Sequence, residues 1–248
     1  MRLGLGLTIV SSSTPAAPPP PPAYDPAVLA LTGWWRASFA ASPWVGTASA
    51  GASGSRDLTE AVTPPAVGAP LNSLDPADFD GTNDKIVAAG ITDNYVNGNA
   101  GSVWILFNAR TGVAAPGAAA PYATDGLFND LVGAGLNIGF STAGFQAGFY
   151  DLVSWDSAIV AASTGAWHLG QAKWDGSTIK ARVDSSAWAS VARGNLNIGG
   201  VLQVGKNFDP GTFFDGLVAD VGVIDAVLSD SGFDDIKEYV NDRYALSL

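Results

Sequence analysis

The chain has 248 residues, with 12 lysines and arginines against 23 aspartates and glutamates, a formal net charge of -11, and no cysteine. Scattered basic residues under an acidic excess exclude a nucleic-acid surface, which needs concentrated positive charge. The lack of cysteine excludes both a disulfide framework and a thiolate metal site. Hydrophobic residues make up 47% and charged residues 14%, enough for one large core, while no apolar run reaches the roughly 18 residues of a membrane span.

The chain opens with Leu3-Gly4-Leu5-Gly6-Leu7-Thr8-Ile9-Val10. Leu3, Leu5, Leu7 and Ile9 fall on one face of an extended segment whose other face is nearly bare, a layout suited to strand addition on a foreign sheet edge. Arg2 and the small residues that follow also admit a signal peptide, but alternating glycines spoil the helix an h-region forms and no Ala-x-Ala site precedes the prolines. Residues 1–14 therefore read as an attachment arm. Residues 15–24, with the block Pro18 to Pro22, read as a semi-rigid polyproline tether, and residues 25–248 as the folded domain.

Within that domain, 40–74 reads as a long irregular excursion. Lys85 to Ala89, Ser102 to Ala109, Leu136 to Ser141, Gln146 to Tyr150, Ala158 to Ala162, Trp167 to Trp174, Ser177 to Val183, Val201 to Val204 and Leu217 to Ile224 read as strands, being short apolar runs between Gly, Asn, Asp and Pro. Asp175-Gly176 joins two of them in a tight hairpin whose turn needs positive φ. One helix is expected, from Asp230 to Tyr244: Ser229 caps it, and Phe233, Ile236, Val240 and Tyr244 repeat at three- and four-residue spacing.

Four stretches resemble the concanavalin A-like jelly roll, in its laminin G-like branch. They are Leu29 to Ser38 with its Trp34-Trp35 pair, Phe79-Asp80-Gly81-Thr82-Asn83-Asp84-Lys85-Ile86, the Trp167 to Ser177 hairpin, and Phe214 to Val221 with the helix after Ser229. The resemblance implies an all-β antiparallel sandwich with a C-terminal α-helix and an extended N-terminal arm. It implies no particular activity, since one fold serves many functions. The Leu-Gly-Leu-Gly start also resembles the N-termini of small tailed-phage virion proteins.

The chemistry-bearing residues are few. Glu60 and Glu238 are the only glutamates, one in the irregular excursion and one on the helix, so the facing carboxylate pair of a glycan hydrolase is not found. His168 is the only histidine; any Ser-His-Asp chemistry runs through it, and a satisfied structural imidazole or an exposed sheet-face residue is the favoured reading. Asp80, Asn83 and Asp84 offer oxygen ligands for calcium, or side-chain bonds within a turn around Gly81, and the turn is the favoured reading. No other cofactor is expected. Trp34, Trp104, Trp167 and Trp174 read as core, whereas Trp155 and Trp188 stand near loops as candidate glycan contacts.

The expectation is a non-enzymatic bacteriophage virion protein: a decoration, head-fibre or tail-associated subunit, localised to the virion and present in many copies or as a homo-oligomer. Leu3, Leu5, Leu7 and Ile9 anchor it to capsid or tail proteins, and a lectin-like head meets a host-surface glycan. Two alternatives stand beside it: a secreted or surface carbohydrate-binding module, and a glycan hydrolase.

Overall fold

The computed structural model describes residues 24–29, 31–37, 46–47, 58–59, 63–88, 100–112, 125–130, 135–150, 155–192, 202–206 and 212–248. The arm, with Leu3, Leu5, Leu7 and Ile9, and most of the tether lie outside them, as does Glu60. After a 3-10 turn at Pro26–Val28 come sixteen strands among the described residues: β1 Leu31–Arg36, β2 Gly46–Thr47, β3 Leu58–Thr59, β4 Ala66–Val67, β5 Ala77–Asp80, β6 Ile86–Ala88, β7 Gly101–Ala109, β8 Asp125–Asp130, β9 Gly135–Ser141, β10 Gly144–Tyr150, β11 Trp155–Val160, β12 His168–Trp174, β13 Thr178–Val183, β14 Ala189–Ala192, β15 Leu202–Val204 and β16 Asp215–Ile224. A single described α-helix, α1, spans Asp230–Tyr244.

The strands form two antiparallel sheets. Sheet A runs β14-β13-β12-β7-β16-β1-β2, with β5 also pairing β16 and β4 pairing β5; sheet B runs β11-β10-β9-β8-β15-β6-β3. Between them lies a core that includes Trp35, Phe79, Val103, Ile105, Phe107, Ile138, Phe140, Phe145, Phe149, Trp174 and Val221. Phe107 stacks on Phe145 at 5.8 Å between ring centroids, and each such buried ring contributes about 1.5–3 kcal/mol.

A second core lies on the far side of sheet A, where Trp34, Trp104, Leu106, Leu169 and Ile224 meet Phe233, Ile236, Tyr239, Val240 and Tyr244 of α1. Sheet A is thus apolar on both faces at its centre. That explains the unbroken run Val103-Trp104-Ile105-Leu106-Phe107, which alternates between two cores rather than between core and water. The pair Trp34-Trp35 divides in the same way, one ring to each core.

The helix begins as its sequence dictates, the Ser229 hydroxyl accepting from the Gly232 N–H at 3.1 Å. It is held to the sheet by a polar cluster around Asp220. A bulge at Ala219 breaks the β7–β16 register between Val218 and Asp220, so Val218 faces the inter-sheet core while Ala219 and Asp220 both face α1. The fully buried Asp220 carboxylate accepts from Trp34 Nε1 and Trp104 Nε1 at 2.9 Å and from the Tyr239 and Tyr244 hydroxyls at 3.0 Å. Burial raises its pKa above the ordinary carboxylate range, with the four donors pulling the other way. Toward the start of α1, Arg182 binds Gln171 and, at 2.7 Å, Asp234, while the Gln171 amide donates to the Phe233 carbonyl at 3.0 Å.

The β12–β13 hairpin forms as expected with its turn shifted by one residue. Gly176 alone takes positive φ, at 87°. The Asp175 carboxylate closes the turn by accepting from the N–H groups of Ser177 and Thr178 at 3.0 and 2.9 Å.

Candidate functional site

Sheet A spends one face on the inter-sheet core and the other on α1, and the outer face of sheet B carries a different set of side chains. Along β9 and β10, Leu136, Ile138, Phe140, Phe145, Ala147 and Phe149 point into the core. Period-two alternation therefore sends Asn137, Gly139, Gln146 and Gly148 to the outer face. On β15, Val204 is in the core and Gln203 outside.

The register assembles these residues across the sheet. Gln146 lies opposite Gly139 and Ile159, and Asn137 opposite Gly148 and position 129, which in turn pairs with Gln203. Gln146 and Gln203 are thus on strands three spacings apart, about 14 Å across the sheet. Although they face away from the core, Asn137, Gln146 and Gln203 are each 0% exposed.

Neither amide atom of Gln146 or of Gln203 has a hydrogen-bond partner among the described residues. Leaving a buried polar group unpaired costs about 1–3 kcal/mol, so four such atoms on one face form a costly arrangement for a purely structural sheet. Trp155 lies beside them, its ring across Gly148: a methyl group at position 148 would fall 2.5 Å from the indole. The Trp155 indole N–H is likewise buried and unpaired among the described residues. Planar amides that both donate and accept, next to an aromatic ring over a bare glycine, match a ligand that is apolar on its faces and hydroxylated at its edges.

The other candidate residues fall elsewhere, and two need correction. Trp155 and Trp188 do not stand exposed near loops. Trp155 is 8% exposed within β11. Trp188 is half-buried against α1, its ring 5.2 Å from Phe233 edge-on, with Lys173 and Arg182 each 4.7 Å from its centroid. It belongs to the helix-docking layer, because the connection after β13 folds back over α1.

At Asp80 the carboxylate accepts from the Thr82 and Asn83 N–H groups at 2.8 and 3.2 Å, and Asp84 accepts from the Asp80 N–H at 2.9 Å. Those bonds are those of a turn, and the described residues hold no cluster of three metal-ligating side chains. Glu238 is exposed on α1. Trp34, Trp104 and Trp174 are core as expected, each 1% exposed or less, and Trp167 packs at the edge of the helix-side core. Sequence reasoning missed Gln146 and Gln203. Their only signal is an uncharged amide at an alternate position of a strand, which reads as ordinary solvent-facing sheet.

No protein-family model and no curated protein matches the sequence. Solved structures do match. Domain 4 of AbnA, an extracellular arabinanase from Geobacillus stearothermophilus solved in complex with arabinotriose, superposes with a TM-score of 0.63 at 16% identity, covering 84% of this chain and 98% of that one. The fold is a jelly-roll β-sandwich. The binding domain of Paraclostridial Mosquitocidal Protein 1 matches at a TM-score of 0.61 and 7% identity, covering 84% of this chain and 51% of that one. The botulinum neurotoxin serotype D binding domain matches at 0.58 and 13%, with 84% and 50% covered. This chain therefore spans about half of the latter two, and at these identities the likeness concerns the fold.

Proposed function

We propose that this chain is a glycan-binding domain whose ligand lies on the outer face of sheet B, where Gln146 and Gln203 meet its hydroxyls and Trp155 contributes an apolar surface. The observation that carries this reading is the set of buried amide atoms of Gln146 and Gln203, on one sheet face, that have no hydrogen-bond partner among the described residues. Sugar hydroxyls, which donate and accept at once, satisfy both ends of each amide. The neighbouring fold of an arabinanase domain solved with arabinotriose supports oligosaccharides of that size as the first ligands to try.

Isothermal titration against arabino-oligosaccharides and a glycan array tests it. The wild type is expected to bind at least one glycan, with Gln146→Ala and Gln203→Ala each weakening binding about tenfold or more. Absence of binding across the array, or equal affinity in both variants, refutes the proposal.

A second reading concerns display rather than recognition, and the alternation of Leu3, Leu5, Leu7 and Ile9 favours it. In it, the arm joins the glycan-binding head to the capsid or tail of a virion by strand addition. Deleting residues 1–14 then leaves the head folded and abolishes incorporation into particles; incorporation at normal copy number refutes it.

A further inference from the structure

The only histidine of the chain stands between a serine and an aspartate. His168 Nε2 is 3.0 Å from the Ser163 hydroxyl, and His168 Nδ1 is 2.7 Å from Asp184 Oδ2. The three come from separate places: Ser163 from the connection between β11 and β12, His168 from the first position of β12, and Asp184 from the residue after β13. β12 and β13, which pair along sheet A, bring His168 and Asp184 together, and the connection from β11 brings Ser163 to them.

The tautomer of the ring sets the direction of each proton along this chain of contacts. An ionised Asp184 only accepts, so His168 Nδ1 carries the hydrogen of that bond; the neutral ring then leaves Nε2 as an acceptor, and Ser163 Oγ–H must donate to it. Asp184 is itself tied down. Its second oxygen accepts from the Leu169 N–H at 2.8 Å, and its own N–H donates to the Leu169 carbonyl at 2.9 Å. It takes a left-handed backbone conformation, with φ at 54°, a posture that residues other than glycine hold only where their surroundings enforce it.

His168 rests on Phe107 with 6.0 Å between ring centroids, and its side chain is 14% exposed. Ser163, by contrast, is exposed. Two residues on, Gly165 is anchored by its N–H to the Ala109 carbonyl at 2.7 Å, and a methyl group there would meet nothing within 4 Å. A half-buried, oriented imidazole beside an accessible hydroxyl is the arrangement of an activated nucleophile.

We propose that Ser163, His168 and Asp184 form an acyl-transfer site that hydrolyses short-chain carboxylic esters, such as an O-acetyl group on a hydroxylated carrier. Ser163 Oγ attacks the ester carbonyl as His168 Nε2 takes its proton. The tetrahedral adduct collapses when the imidazolium returns that proton to the departing alkoxide, releasing an alcohol and leaving an acyl group on Ser163. Water then attacks the acyl-serine, giving its proton to His168, and the carboxylic acid departs with Ser163 restored. Asp184 is a positioning residue, holding the ring in the tautomer that the first step needs.

The test uses the full chain with p-nitrophenyl acetate and a fluorophosphonate probe, followed by peptide mass spectrometry. The expected result is one fluorophosphonate adduct, on Ser163, and p-nitrophenol release that falls about 100-fold or more in both Ser163→Ala and His168→Gln. Asp184→Asn keeps an acceptor for Leu169 and is expected to slow labelling about tenfold or more with an unchanged Tm. Ser163 is exposed, so Ser163→Ala keeps the wild-type melting curve and separates chemistry from folding. A folded wild type that carries no adduct on Ser163, wild-type turnover in Ser163→Ala, or undiminished labelling in Asp184→Asn overturns the proposal.

Discussion

Replacing Asp220 with alanine removes the acceptor that the structure gives to three buried donors: Trp34 Nε1, Trp104 Nε1 and the Tyr239 hydroxyl. Tyr244 keeps an alternative, since its hydroxyl also lies 3.0 Å from the Ala219 carbonyl. Three stranded donors at about 1–2 kcal/mol each give a loss of roughly 3–6 kcal/mol, before any cavity is counted. That is a large part of the roughly 5–15 kcal/mol that holds a domain together. Asp220→Asn is milder: its oxygen still accepts from both indoles and its NH2 group donates to the Tyr244 oxygen, leaving mainly Tyr239 without an acceptor, for about 1–3 kcal/mol. Urea denaturation followed by near-UV circular dichroism reads both values, the buried tryptophans reporting the helix-side core. Should Asp220→Ala lie within about 1 kcal/mol of wild type, or match Asp220→Asn, the assignment of this carboxylate as the clamp of α1 is wrong.

Burial raises the Asp220 pKa, so its contribution to stability is fully present below the unfolded value of about 3.9 and declines as pH rises toward its folded value. The stability difference between wild type and Asp220→Asn is therefore expected to shrink from about pH 4 upward; a difference that grows over that range refutes the direction of the shift. Gln146→Leu and Gln203→Leu remove unpaired buried amides, so each is expected to raise stability by about 1 kcal/mol while abolishing glycan binding, a trade measured by paired urea and calorimetric titrations. Loss of stability in both would mean that the amides serve the fold. Trp188→Ala strips an edge-on contact from Phe233 and is expected to cost about 2 kcal/mol with glycan affinity unchanged; loss of affinity at constant stability would move the site to the helix side.

Local signals made α1 legible to the residue, because Ser229 supplies its cap and four apolar residues mark its buried stripe. The long strands were nearly as plain: β7 carries the unbroken apolar run Val103 to Phe107, and β12 and β16 are rich in apolar residues over most of their length. Harder to see were β8, where Asp125, Gly126, Asn129 and Asp130 mimic a loop, and β14, which is four residues of alanine, serine and valine. Both owe their pairing to neighbours distant in sequence rather than to their own propensity.

The same non-locality hid the candidate sites. Asp220 sits among valines in a strand and shows its importance only once Trp34, Trp104, Tyr239 and Tyr244 converge on it. His168 was visible as the sole imidazole, but Ser163 and Asp184 are ordinary turn residues until β12 and β13 bring them within reach. Trp155 and Trp188 illustrate the converse, since proximity to polar residues in the chain predicted an exposure that packing denied.

One surplus amino acid in β16 adds an acceptor that a regular ladder would lack. Excising Ala219 would restore strict alternation with Val218 still inward and Asp220 still toward the tyrosines, but it would take away the carbonyl that receives the Ala37 N–H at 2.6 Å and the Tyr244 hydroxyl at 3.0 Å. Length at this point is thus held by a backbone carbonyl, which a residue of any side chain at position 219 can supply. Homologous sequences, when aligned, should vary in the letters of this stretch long before they vary in its count.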